Sequence, residues 1–137
     1  MSQFVIARRV QFCAAHRLHN PAKSDEWNRA TFGLCNNPNY HGHNYELVIT
    51  VAGEANPETG YLVDVDQVRR LADEHVVANL DHKNLNVEVP WFANRITSAE
   101  NIAIYCWEQL APRIPSGTLS CIRVSENAVS YVEYRGT

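Results

Sequence analysis

The chain has 137 residues and a net charge of −3, with 45% hydrophobic and 20% charged residues. That length predicts a single domain over 1–137. Those fractions are ordinary for a globular protein, and the lack of a basic field speaks against general binding to nucleic acid or an anionic membrane. No run approaches the length of a membrane span, and the opening stretch through Arg9 lacks a signal peptide's apolar core. The four cysteines, Cys13, Cys35, Cys106 and Cys121, follow no framework spacing and are expected as reduced thiols in a cytoplasmic protein.

Residues 3–17 read as a strand, with Phe4, Ile6, Val10, Phe12, Ala14 and His16 on one alternating face. Residues 18–40 hold two prolines and no sustained period, which predicts a long loop. A second strand over 41–53 places Tyr45, Leu47, Ile49 and Val51 on the face of His41 and His43. Gly53 to Gly60 is a turn, after which Asp64 caps a helix over 65–80 with apolar Val68, Leu71, Ala72, Val76 and Leu80. Leu80 to Asn86 reads as a polar turn. Thr97 and Glu100 have capping-box spacing for a second helix over 98–111, ending near Pro112. Residues 119–126 and 129–135 form a hairpin with its tight connection at Asn127-Ala128.

This order predicts an α+β fold: a four-stranded antiparallel sheet with two helices packed on one face. Such a sheet has two open edges, and joining it to copies of itself is one way to close them.

Cys35-Asn-Asn-Pro-Asn-Tyr-His41-Gly42-His43 concentrates a thiol and two imidazoles next to a turn-rich loop. On a strand, His41 and His43 share a face. If the first two strands pair antiparallel, His16 ends beside them, giving three nitrogens that suit zinc and leave a coordination position open. Spacing equally allows Cys35, His41 and His43 to form a closed site with a thiolate ligand. Cys35 could instead approach a substrate as nucleophile or base, while His19 and His75 read as bystanders.

Phe12-Cys-Ala-Ala-His16-Arg-Leu, Cys35 through Tyr45, Leu80-Asp-His-Lys-Asn-Leu85, Thr97-Ser-Ala-Glu-Asn101 and Val124-Ser-Glu126 follow one another over nearly the whole chain. In sequence and in order these motifs resemble those of the 6-pyruvoyl-tetrahydropterin synthase family, which includes the 6-carboxytetrahydropterin synthases of the queuosine pathway. The Cys-Asn-Asn-Pro-Asn run and its distance from His16 resemble the pyruvoyl-forming branch, although Tyr40 stands where that branch usually has glycine.

The resemblance implies a tunnelling-fold type, in which sheets join into a barrel on oligomerisation, and a hexamer made of two trimers with shared active sites. It implies Zn2+ held by His16, His41 and His43, with Cys35 as base and Asp81 and His82 as an acid–base pair. Adjacent residues seldom bond side chain to side chain in the simplest geometry, so the sequence leaves the contact within that pair open, and a polar turn capping the first helix accounts for the two residues as well. Glu126 matches the carboxylate that anchors the pterin by two hydrogen bonds, and Glu133 is the residue most easily confused with it. Thr97, Ser98 and Glu100 match a region that touches the pterin, and a capping box accounts for them as well. Arg17, Lys23 and Arg29 are candidate cations for a triphosphate.

The implied reaction is zinc-dependent loss of triphosphate from 7,8-dihydroneopterin triphosphate, giving 6-pyruvoyltetrahydropterin for tetrahydrobiopterin biosynthesis. The enzymatic alternative releases acetaldehyde to give 6-carboxytetrahydropterin. A non-catalytic, zinc-stabilised pterin-binding module is the alternative of another class.

Overall fold

A computed structural model describes residues 2–137. Its strands and helices, in chain order, are β1 (Phe4–His16), α1 (Asp25–Phe32), β2 (His41–Gly53), α2 (Val65–Ala72), α3 (Ala78–Leu80), β3 (Lys83–Asn84), α4 (Leu85–Glu88), α5 (Ala99–Leu110), β4 (Thr118–Ser125) and β5 (Val132–Tyr134). The sheet has five strands in the order β3-β1-β2-β4-β5, antiparallel except where β3 runs parallel to β1. All four expected strands are present. The fifth is a two-residue strip that pairs Lys83 and Asn84 with Ala14 and Ala15, too short to leave a periodic signal.

β1 and β2 are in unbroken register from Phe4↔Gly53 to His16↔His41. Directly opposed residues project to the same face, so the alternating rows of both strands merge. Val10, Phe12 and Ala14 therefore join Tyr45, Leu47, Ile49 and Val51 in one buried layer. Leu119, Ile122 and Val124 extend it from β4.

Two helical segments cover this layer. α2 passes through a π-helical stretch, Asp73–Val77, into α3, so 65–80 is helical throughout. Val68, Ala72, Val76 and Leu80, each four residues after the last, are all buried. Four residues overshoot an α-helical turn by about 40°, and the wider π turn offsets that drift. Ser98, rather than Thr97, is the N-cap of α5, its side chain accepting from Asn101 N–H. Ile102, Ala103, Cys106 and Leu110 of α5 are fully buried in the same core.

The expected long loop over 18–40 is a correction. It contains α1 and a 3₁₀ turn, Gly33–Asn36. Ser24 accepts from Trp27 N–H as N-cap, with Asp25 and Glu26 in the first turn. A helix this short has little periodicity, and its one buried residue is polar: Asn28. The Asn28 amide donates to the Asn20 and Ser24 carbonyls and accepts from Asn20 N–H at 2.7 Å, closing the loop on itself. The final connection is also longer than expected, because β5 begins only at Val132.

Candidate functional site

The antiparallel register brings the C-terminal end of β1 against the N-terminal end of β2. His16 sits opposite His41, and His43 opposite Ala14. Their ring centroids form a triangle with sides of 4.7, 5.0 and 5.2 Å. One ring nitrogen from each lies within 4.8 Å of the others.

Surrounding groups fix the chemistry of these rings. His16 Nδ1 donates to the Thr97 carbonyl at 2.7 Å, which holds the hydrogen on Nδ1 and leaves Nε2 as the nitrogen that carries the lone pair. Burial lowers the His16 pKa to about 4, against the raising effect of the Thr97 bond, and the charges of His41 and His43 lower it further. His41 is also lowered, first by burial, then by His43, with Glu126 opposing. Neutral imidazoles are the ligating form.

His41 Nδ1 and His43 Nε2 are buried without a hydrogen-bond partner. Such atoms are costly to desolvate unless something binds them. Three convergent ring nitrogens, with His41 Nδ1 and His43 Nε2 unsatisfied, fit a divalent metal with three protein ligands. Cys35 is not in this donor group. It lies exposed in the 3₁₀ turn, which does not favour the closed thiolate site.

The turn bearing Cys35 is nevertheless tied close to His16 in the chain. Leu18 N–H donates to the Cys35 carbonyl at 2.8 Å, and the buried Asn36 amide donates to the Leu18 carbonyl at 2.7 Å. The Arg17 guanidinium donates to the Asn36 carbonyl at 3.1 and 3.3 Å, so Arg17 braces this turn. His19 is not idle either: its Nδ1 is 3.2 Å from Arg17 Nη2 and 3.0 Å from Asn36 Nδ2. Tyr40 has φ of 67°, the left-handed region in which glycine is unstrained.

Glu126 follows β4, and its oxygens stand 3.8 Å from His16 Nε2 and 3.8 Å from His43 Nε2. Glu133 instead pairs with Arg123 at 2.9 Å and Arg135 at 3.0 Å, which separates the two glutamates. Ser98, Glu100 and Glu126 line one cavity of about 240 Å³. Thr97 differs from them because it is wholly buried. Its hydroxyl donates to the Arg17 carbonyl at 3.0 Å while its carbonyl receives His16, so it stands behind a ring rather than in the cavity. Tyr45 lies beneath the site with its hydroxyl 3.3 Å from His16 Nε2. Burial, then the Glu126 charge, push that phenol far above its ordinary range.

Asp81 and His82 bond side chain to side chain, a contact the sequence left open: His82 Nδ1 is 2.9 Å from Asp81 Oδ2. A φ of 60° at His82 bends the backbone so that adjacent side chains can meet. Both residues hook onto β1. Cys13 N–H donates to Asp81 Oδ1 at 2.9 Å, and His82 N–H donates to the Cys13 carbonyl at 2.6 Å. The first of these bonds is the main reason that the Asp81 carboxyl lies below its usual range. Side chains 13 and 16 of a strand face opposite sides, so Cys13 Sγ, 3.7 Å from His82 Nδ1, points away from the histidine triangle.

Comparison with known proteins agrees with this architecture. The 6-pyruvoyl tetrahydropterin synthase family model matches residues 5–137. A human protein named 6-pyruvoyl tetrahydrobiopterin synthase is 42% identical over 134 residues, covering 98% of this chain and 92% of its own. Its Drosophila melanogaster namesake is 37% identical, covering 99% of this chain and 83% of its own. The solved Caenorhabditis elegans 6-pyruvoyl tetrahydropterin synthase superposes with a TM-score of 0.95 at 34% identity, covering 100% of this chain and 98% of its own. The chain belongs to the 6-pyruvoyl tetrahydropterin synthase family.

Proposed function

We propose that this chain is a lyase that eliminates triphosphate from 7,8-dihydroneopterin triphosphate and yields 6-pyruvoyltetrahydropterin, in a tetrahydrobiopterin-type pathway. The observation that carries the reading is the histidine triangle with two unsatisfied buried nitrogens, set beside the Glu126 carboxylate. His16, His41 and His43 would hold zinc. When bound, it supplies positive charge that acidifies the hydroxyls and adjacent C–H of the substrate side chain.

Glu126 orients the pterin by accepting from its 2-amino group and ring N–H, and Ser98 and Glu100 shape the cavity around it. Cys35 takes the proton from the side-chain carbon, for which its exposed position on a braced turn suits it. His82 exchanges protons at Nε2 while Asp81 accepts its Nδ1–H, the orientation that a carboxylate gives a relay imidazole. Thr97 is a positioning residue for His16. Among the sequence-derived cations, Lys23 and Arg29 remain for the triphosphate, since Arg17 is engaged in the turn.

The assembly is a homo-oligomer, a hexamer built as a dimer of trimers, with the sheets joined through their open edges. Its support is the pair of short edge strands, β3 and β5, and exposed Val129 and Tyr131 beside β5. The Asp81–His82 pair, anchored on the far side of β1, serves the histidine centre of a neighbouring copy. Residues 1–137 act as one pterin-synthase-like domain. Four unpaired cysteines support a cytoplasmic setting, and no helix among the described residues is long and apolar enough to cross a membrane.

Mass spectrometry of the product from zinc-loaded enzyme tests the reaction. The pyruvoyl product with free triphosphate is expected. Acetaldehyde released in proportion to substrate consumed would instead establish the carboxy-forming reaction, and the absence of any turnover would establish a binding module.

A further inference from the structure

A second group of metal-ligating side chains lies on the other side of β1. Cys13 Sγ is 3.7 Å from His82 Nδ1 and 3.9 Å from its Nε2, and His82 Nδ1 is 2.9 Å from Asp81 Oδ2. One donor atom from each of Cys13, Asp81 and His82 lies within 4.8 Å of the other two. We propose that these residues form a second divalent-metal site, selective for thiophilic ions such as zinc or cadmium, whose occupancy blocks turnover.

The spacing suits such an ion. In tetrahedral coordination with Zn–S of about 2.3 Å and Zn–N of about 2.0–2.1 Å, sulfur and nitrogen stand about 3.6 Å apart. The observed 3.7 Å between Sγ and Nδ1 needs almost no adjustment. The Asp81–His82 contact of 2.9 Å is a hydrogen bond, and it opens by roughly half an ångström when metal replaces the proton between them. A sulfur, nitrogen and oxygen donor set favours zinc and cadmium over magnesium or calcium.

Access and charge are also in place. Cys13 and His82 border an open cavity of about 550 Å³, and the His82 side chain is 80% exposed. Asp81, held below the usual carboxyl range by Cys13 N–H, brings a negative charge at neutral pH. On binding, the thiol proton and the proton on Nδ1 pass to solvent, and the metal–sulfur and metal–nitrogen bonds replace the S–H and N–H bonds. The Cys13 backbone makes the two shortest bonds to Asp81 and His82, at 2.9 and 2.6 Å, so the pair stays anchored to β1 when Sγ gives up its weaker contact with the His82 ring to ligate.

Blocking follows because a metal on Nδ1 and Oδ2 separates the imidazole from its carboxylate. That consequence rests on the relay role proposed above for Asp81 and His82. The site itself does not.

The test uses protein already carrying one equivalent of zinc, titrated with Cd2+ or Co2+ while a sulfur-to-metal charge-transfer band is followed by absorbance. One further equivalent with a thiolate band is expected in wild type and in Cys35→Ala. The band disappears in Cys13→Ser, and binding weakens at least about tenfold in His82→Asn, which suits the left-handed backbone there. Wild-type turnover falls with the second equivalent, whereas Cys13→Ser keeps its basal turnover and becomes insensitive. No band in wild type, a band surviving Cys13→Ser, or a band abolished by Cys35→Ala each overturns the site. A Cys13-dependent band with undiminished turnover overturns the blocking consequence and the relay role with it, while establishing the site.

Discussion

His16 and Thr97, separated by 81 positions in sequence, are joined by a 2.7 Å hydrogen bond from an imidazole N–H to a main-chain carbonyl. Because the acceptor is backbone, no substitution at Thr97 short of proline-like distortion of the segment removes it. The bond ties the tautomer of the most deeply buried histidine to the entry of α5. The helix that closes the core thus also sets which nitrogen of His16 can meet a metal.

Replacement of any one of His16, His41 and His43 by alanine is expected to leave metal sub-stoichiometric. Chelation of wild type should abolish turnover, and zinc should restore it. Metal analysis beside activity checks this; full activity in thoroughly metal-free protein would contradict the assignment.

The metal-free protein should lose stability in acid partly through His16. Its folded-state pKa of about 4 lies below the ordinary 6.5, so the unfolded chain takes up a proton first as pH falls. The contribution is complete above about pH 6.5 and is lost progressively down to about pH 4, a difference of about 3 kcal/mol. His41, lowered for the same main reason, acts in the same direction. Thermal melts between pH 7 and 4 should slope less steeply for metal-free His16→Asn than for wild type.

Cys35→Ala should reduce kcat by about 10²- to 10⁴-fold with its metal retained. His82→Asn should reduce kcat as well, with the fold intact. If neighbouring copies share the site, mixed oligomers of these two inactive variants recover part of the activity, because some sites receive both intact groups. No recovery after verified subunit exchange would place both groups in the same chain's site.

Glu126→Gln retains size but loses the charge of the acceptor. Hydrogen bonds to a charged group contribute about 1.5–3 kcal/mol, so pterin binding should weaken roughly 10- to 100-fold. Equilibrium binding of a pterin analogue measures this, with Glu133→Gln as the comparison expected to bind normally.

Asn28→Ala removes the amide that closes the α1 loop and leaves the Asn20 N–H without its partner, while the Asn20 carbonyl keeps Lys23 N–H. A loss of about 2–3 kcal/mol is expected in urea unfolding of the metal-free protein. An unchanged midpoint would show that this loop contributes nothing to global stability.

Alternation along β2 was enough to place His41 and His43 on one face, because a strand's side chains repeat every two residues whatever surrounds them, while His16 joins them through the antiparallel register of β1 and β2. The helix over 65–80 was similarly legible from its apolar spacing, and α5 from the capping-box spacing at its start and Pro112 at its end. Residues 18–40 were not, because α1 is held by the capping of Ser24 and by the buried amide of Asn28 rather than by an apolar stripe. β3 was illegible for a related reason: two residues owe their extended pairing entirely to the edge of β1.

The sequence by itself determined the two alternating rows, the helix faces and the motifs that mark the family, since these are local patterns set by backbone periodicity. Only the tertiary structure decided that Thr97 lies behind His16, that Glu126 rather than Glu133 faces the histidines, and that Cys13 meets His82. Each of those is a contact between distant segments, governed by strand register and loop closure. No short-range pattern encodes such distances.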